Sequence, residues 1–253
     1  MKEYITKIAH YIRRVLTFFK NEMMPRKLKK FETFTLRSET IKSAYEIYIE
    51  EEIKSSYNHF KKYFNKTIFL KKWTLREYGM QKALDNHQEN YFYLEFGVFK
   101  GASLNFFSRF LKPKNILIYG FDSFKGITED WLGTQIRKGS MDLKGTIPKT
   151  NSNCRIIDGL VEKTLPKFID ENKNLKINFV HMDLDTFSPT NFALKIIKPF
   201  LVNNSIIIFD NFYNQAGWQY NEYKALTENF NENEYRFISF GLDRESAAIQ
   251  IMK

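Results

Sequence analysis

The sequence predicts an α/β fold: an open sheet of five parallel strands with crossover helices, ending in an antiparallel hairpin. Three observations carry this. From residue 91 onward, short apolar runs alternate with helix-length amphipathic stretches, the rhythm of repeated βαβ units. The first of these runs leads through YLEFGVFKGAS (Tyr93–Ser103) into a glycine turn that opens a helix. The last two, YRFISFG (235–241) and SAAIQIMK (246–253), are joined by a short turn, which reads as a hairpin.

The elements follow in order. Residues 1–73 read as a helical N-terminal extension with a basic leader at 1–30, and residues 74–253 as one α/β domain. In 3–20, Tyr4, Ile5, Ile8, Tyr11, Ile12, Val15, Leu16 and Phe19 recur at helical spacing, with Lys7, Arg13, Arg14 and Lys20 mostly on the other side. Such a segment packs on the body or a partner subunit, lies on an anionic membrane surface, or is a frayed tail. Pro25 and RKLKKF mark a break, 38–64 reads as one or two helices, and Thr74–Leu84 as the helix leading into the first strand. Strands are expected at 91–96, 116–121, 153–157, 177–182 and 205–209. Helices are expected near 101–111, 161–172, 189–200 and 218–230, with a glycine- and lysine-rich loop at 132–152.

Composition narrows the classes. The chain has 253 residues, 43% of them hydrophobic, enough for a sizeable core. Its single cysteine, Cys154, excludes an internal disulfide and a Cys-based zinc site and suits a reducing cytoplasm. No apolar run approaches the ~18 residues of a membrane span. Arg13 and Arg14 interrupt the N-terminal apolar stretch, so a cleaved signal peptide is not expected. The expected location is cytoplasmic, with peripheral membrane contact through residues 1–30 as one option. The net charge is +10, yet residues 1–30 hold nine Lys/Arg against two acids. The basicity therefore sits in the leader, and no nucleic-acid partner is expected for the body.

The turn after the first strand is E-x-G-x-x-x-G-x-S, not the G-x-G-x-x-G that cradles a pyrophosphate. Acidic residues beside a close backbone approach suit a ligand with an ammonium, a sulfonium and no phosphate, namely S-adenosylmethionine. Glu95 would face its ammonium, Gly97 and Gly101 would let the backbone approach, and Ser103 would add a hydrogen bond. Asp122, ending the second strand, stands where an acid accepts ribose hydroxyls; its other reading, with Ser123, is a cap for the next segment. Asp158 and Gly159 follow the third strand, near the adenine end.

A second cluster closes the fourth and fifth strands, HMDLDTFSPT (181–190) and IIIFDNFYN (206–214). The carboxyl ends of central strands converge on one crevice, so Asp183, Asp185, Asp210 and Asn211 gather there. Oxygen ligands at one point suit Mg²⁺, which would bind an acceptor hydroxyl and lower its pKa; the alternative is that they cap helices or bind substrate without metal. His181 lies on Asp183's face of the strand but deeper, either relaying a proton or buried in the core.

Taken together, LEFGVFKGAS, YGFDSFKGITEDW, DGLVEKTLP, HMDLDTFSPT and IIIFDNFYN resemble the macrocin O-methyltransferase family of class I methyltransferases, over roughly residues 74–253. The resemblance implies a Rossmann-like fold, S-adenosylmethionine, usually Mg²⁺, and a sugar or sugar-like hydroxyl as acceptor, in glycan or natural-product biosynthesis. Carried over by motif, Glu95, Gly97, Gly101 and Ser103 would hold the methionine part and Asp122 the ribose. Asp183 would be metal ligand and general base, with Asp210 a second ligand. The family usually has Asp-Asp where this chain has Asp210-Asn211. Such a pair resembles the metal site of catechol-type O-methyltransferases; one charge fewer weakens the metal and leaves a metal-independent variant open.

Asp185, Tyr213, Trp218 and Tyr220 are the expected acceptor contacts, the aromatics by stacking on a sugar ring, with Trp218 alternatively packing the next helix. A homodimer and a small-molecule or glycan acceptor are the expected partners. Two other classes stand beside the enzyme: an inactive cofactor-binding subunit of a glycan-assembly complex, and a nicotinamide-dependent oxidoreductase, disfavoured by the missing G-x-G-x-x-G.

Overall fold

The computed structural model describes residues 42–253 apart from Arg244. The readings placed at 3–20, Pro25 and the basic leader lie outside the described residues. The chain divides into two compact units, the first ending at Ile47 and the second spanning Tyr48–Lys253. Of the first, only residues 42–47 are described; the architecture below is that of the second.

The second unit is built on one eight-stranded sheet in the order β1-β7-β8-β6-β5-β2-β3-β4. In chain order its strands are β1 (Ile68–Leu70), β2 (Tyr91–Phe96), β3 (Ile118–Asp122), β4 (Cys154–Asp158), β5 (Lys176–Met182), β6 (Leu201–Phe209), β7 (Tyr235–Gly241) and β8 (Ala247–Ile251). All neighbours are parallel except β8, which runs antiparallel to both β6 and β7. The five parallel strands and the terminal hairpin are those the sequence predicts. The hairpin does not end the sheet, because β1 adds a parallel edge strand against β7. Three residues are too few to show an alternating pattern in the sequence.

The helices are α1 (Ala44–Phe64), α2 (Lys72–Asp85), α3 (Ala102–Leu111), α4 (Val161–Glu171), α5 (Phe187–Ile197) and α6 (Glu222–Asn229). Strand alternation splits the core between the two faces of the sheet. Ile206 and Ile208 of β6 pack with Leu75 and Met80 of α2 and Phe107 of α3. Ile207 and Phe209 pack with Leu165 of α4, Leu194 of α5, Leu226 of α6 and Phe60 of α1. Because both faces are covered, β2, β5 and β6 are nearly continuous apolar runs, which made them easy to read. Among the described residues, no helix is long and apolar enough to cross a membrane.

Two features aim the site. Strand order reverses between β5 and β2, the point at which an open α/β sheet leaves a crevice at its carboxyl ends. Helix α2 buries Leu75, Arg76, Gly79, Met80 and Ala83 on one face. At Gly79 a Cβ would meet the Ile208 side chain at 2.7 Å, so glycine lets α2 lie close on β6. That contact brings the N-terminal end of α2, with Lys72 and Arg76, over the ends of β5 and β6.

Candidate active site

A cavity of about 360 Å³ opens at the carboxyl ends of the central strands. Asp122, Glu162, Asp183, Asp185 and Asp210 line it, and among the described residues no Lys or Arg does. Gly97, Ser123, Gly159 and Asn211 also reach it. Its roof is the stretch after β3, with Ile127, Thr128, Trp131 and Met141 on the wall. Glu129 fastens that roof by accepting hydrogen bonds from the Ser188 amide (2.7 Å) and hydroxyl (2.6 Å), at the first turn of α5. The expected loop spans only 132–152, so of these wall residues it includes Met141 but not Ile127, Thr128 or Trp131; the signal available was the aromatic-bearing GITEDW so soon after Asp122.

Asp122 is held by its own neighbourhood. One oxygen accepts from the amides of Val98 (2.8 Å) and Phe99 (2.7 Å), the other from Phe124 (2.7 Å). The carboxylate thus ties the glycine turn to β3 and forms the local turn that was its second reading, while still lining the cavity. Gly97 sits at φ +87°, and a Cβ there would fall 1.8 Å from the Asp183 carbonyl oxygen. Only glycine lets the chain leaving β2 pass the end of β5.

Several expected residues lie elsewhere. Glu95 and His181 are fully buried, because alternation points them under α3 rather than into the crevice. Glu95 accepts a short hydrogen bond from Ser103 (2.5 Å), and His181 packs on the Phe107 ring. One Glu95 oxygen and both His181 ring nitrogens have no hydrogen-bond partner. Burial, then Arg76, lowers the His181 pKa against the pull of Glu95, which favours the neutral ring. Gly101 starts α3 at φ +77° and, like Asp158 at the end of β4, stands outside the cavity lining.

The expected acceptor aromatics are corrected most. Tyr213 is buried and donates to the Gly241 carbonyl. Trp218 is buried against His59, Phe60 and Tyr223. Both belong to the core because α1 covers them. Tyr220 is exposed but outside the cavity lining.

The acidic cluster itself assembles, with two cations the sequence reading missed. Arg76 Nη2 lies 2.9 Å from Asp210 Oδ1 and 3.7 Å from Asp183 Oδ2. Lys72 Nζ lies 2.7 Å from Asp210 Oδ2. Asp210 Oδ1 also accepts from the Ser246 hydroxyl (3.2 Å). Burial alone would raise the Asp210 pKa, but Arg76 and Lys72 hold it at about 2. Burial, then Asp210, then Asp185 raise Asp183 well above the usual carboxylate range. Burial and Asp210 push Asp185 to about 7. Asn211 donates its side-chain amide to Asp185 (2.8 Å) and its backbone amide to Glu222 (2.9 Å), a buried acid raised by burial and Asp183. The signal available for Arg76 was a charged residue on the core-facing stripe of α2, beside Leu75, Gly79, Met80 and Ala83.

Comparison with known proteins agrees with this architecture. Residues 94–212 match a family model described as a methyltransferase domain. A solved structure of CalS11, a calicheamicin methyltransferase, superposes with a TM-score of 0.57 at 21% identity, covering 70% of this chain and 77% of that one. An apo structure of CalS11, described as a TDP-rhamnose 3'-O-methyltransferase, gives 0.51 at 22% identity over the same shares. The O-methyltransferase NovP gives 0.51 at 17%, covering 71% of this chain and 78% of that one. No curated protein matches the sequence. The fold is therefore that of the Rossmann-like class I methyltransferases, with residues 94–212 forming the matched domain.

Proposed function

We propose that this chain is an S-adenosylmethionine-dependent O-methyltransferase acting on a hydroxyl of a saccharide or glycosylated small molecule. One observation carries the cofactor reading: among the described residues, the cavity at the switch point is lined by five carboxylates and no basic side chain. Arg76 and Lys72 offset Asp183 and Asp210 at one end, but Asp122 and Glu162 on the remaining wall have no such cation among the described residues; that wall favours a sulfonium over the diphosphate of a nicotinamide dinucleotide. The saccharide part rests on the five linked sequence motifs, and the shared fold of CalS11 and NovP is compatible with it.

When bound, S-adenosylmethionine supplies a methyl group that the acceptor oxygen attacks as the C–S electron pair returns to sulfur. Asp122 would receive a ribose hydroxyl on the one acceptor site, at Oδ1, that its three backbone bonds leave free. Asp183, a quarter exposed and on the cavity wall, would take the acceptor proton; its raised pKa suits a general base. Trp131, Ile127 and Met141 would exclude water from the reacting pair. Glu95 and Ser103, buried beneath the turn, would act on the methionine end by fixing the turn.

Calorimetry with S-adenosylmethionine and with NAD tests the cofactor, and transfer of labelled methyl to a panel of saccharides and glycosides tests the acceptor. Binding of the first cofactor alone and labelling of a hydroxyl are expected. NAD binding without S-adenosylmethionine binding would overturn the reading.

A further inference from the structure

The carboxylates that would hold Mg²⁺ do not fit a divalent ion. Asp210 accepts from Arg76 and Ser246 on one oxygen and from Lys72 on the other. The candidate ligand atoms of His181, Asp183 and Asp210 lie within 4.8 Å of one another. Arg76 Nη2, however, already bridges the two aspartates. An ion at the ~2.1 Å that Mg²⁺ requires would stand against a guanidinium, cation on cation.

Arg76 cannot readily withdraw. Its side chain is 4% exposed, and its guanidinium rests over the Trp73 ring at 4.8 Å. Gly79, one turn on, seats α2 against β6.

We propose that Arg76 and Lys72 stand in place of the divalent cation, so that this chain does its chemistry without bound metal. Both are positioning residues. They fix both oxygens of Asp210, and Arg76 also lies 3.7 Å from Asp183 on the cavity wall. Two fixed positive charges offset the two aspartates, leaving a divalent ion no net attraction. The metal-exclusion part stands on geometry alone; its consequence for catalysis rests on the methyl-transfer reading above.

The experiment is Mn²⁺ binding followed by electron paramagnetic resonance on the full chain, with S-adenosylmethionine affinity measured in parallel by calorimetry. The wild type is expected to leave millimolar Mn²⁺ free, and its cofactor affinity to be the same with and without chelator. Removing the counter-charges in the double variant Lys72→Gln/Arg76→Gln should strengthen Mn²⁺ binding by about tenfold or more. If that variant does not fold, Lys72→Gln alone should show the same direction, since Lys72 is partly exposed. Stoichiometric Mn²⁺ binding by the wild type would overturn the proposal. So would a folded variant with Mn²⁺ binding no stronger than the wild type. A wild type that binds neither Mn²⁺ nor S-adenosylmethionine would overturn the proposed function while leaving metal exclusion intact.

Discussion

Asp122 and Asp210 are both strand-end carboxylates on one cavity, yet they are held in opposite ways. Asp122 is fixed by backbone amides two, 23 and 24 residues away, all within one βαβ unit. Asp210 is fixed by side-chain cations 134 and 138 residues away, delivered by a helix that precedes the first central strand. The first arrangement is a property of a local motif. The second exists only once α2 has docked on β6. The Asp122 side of the crevice is thus built from backbone, and the Asp210 side from charge placed at long range.

Breaking each side separately should give different losses. The largest is expected for Asp183→Asn, where labelled-methyl turnover should fall by about 10²–10⁴ while S-adenosylmethionine affinity stays within a few-fold. Unchanged turnover would remove Asp183 from the chemistry. Asp122→Ala should instead abolish cofactor binding in calorimetry and lower stability by about 2 kcal/mol, because three amides lose a charged acceptor. A variant that still binds cofactor at wild-type affinity would break the contrast between the two sides.

The third test uses pH. Asp185 is raised from 3.8 to about 7 in the folded chain, so the native state holds its proton more tightly than the unfolded one. Its ionisation therefore destabilises the fold increasingly from about pH 4 to pH 7, and fully above that. Asp185→Asn should raise stability by on the order of 2 kcal/mol at pH 8, with the gain vanishing near pH 4. A pH-independent difference in urea midpoints would contradict this. Asp210, held at about 2, has the opposite sign: its contribution is complete above 3.8 and is lost as pH falls through 2. The smallest effect is expected for Glu129→Ala, which frees the roof from the Ser188 amide and hydroxyl. Loss of about 1 kcal/mol and a few-fold weaker cofactor binding should follow, visible in thermal melts and calorimetry.

The parallel strands were legible because strands covered on both faces are continuous apolar runs between turn residues. The glycine turn and Asp122 were legible because their partners lie within one motif. Tyr213 and Trp218 were not, because a polar, aromatic-rich loop looks the same whether it faces an acceptor or a helix. Their burial depends on Phe60 of α1, some 150 residues earlier. Glu95 and His181 were placed on the right strands, and only the covering of that face by α3 made them interior.

By itself, then, the sequence determined the α/β order of elements, the acidic character of the crevice and the turn at Gly97, since these rest on periodicity and on contacts close along the chain. Tertiary structure alone decided which carboxylates face solvent and which cations neutralise them. Such pairings are set by where α1, α2 and α3 come to rest on the sheet, and helix–sheet docking sums many weak apolar contacts that no single motif records.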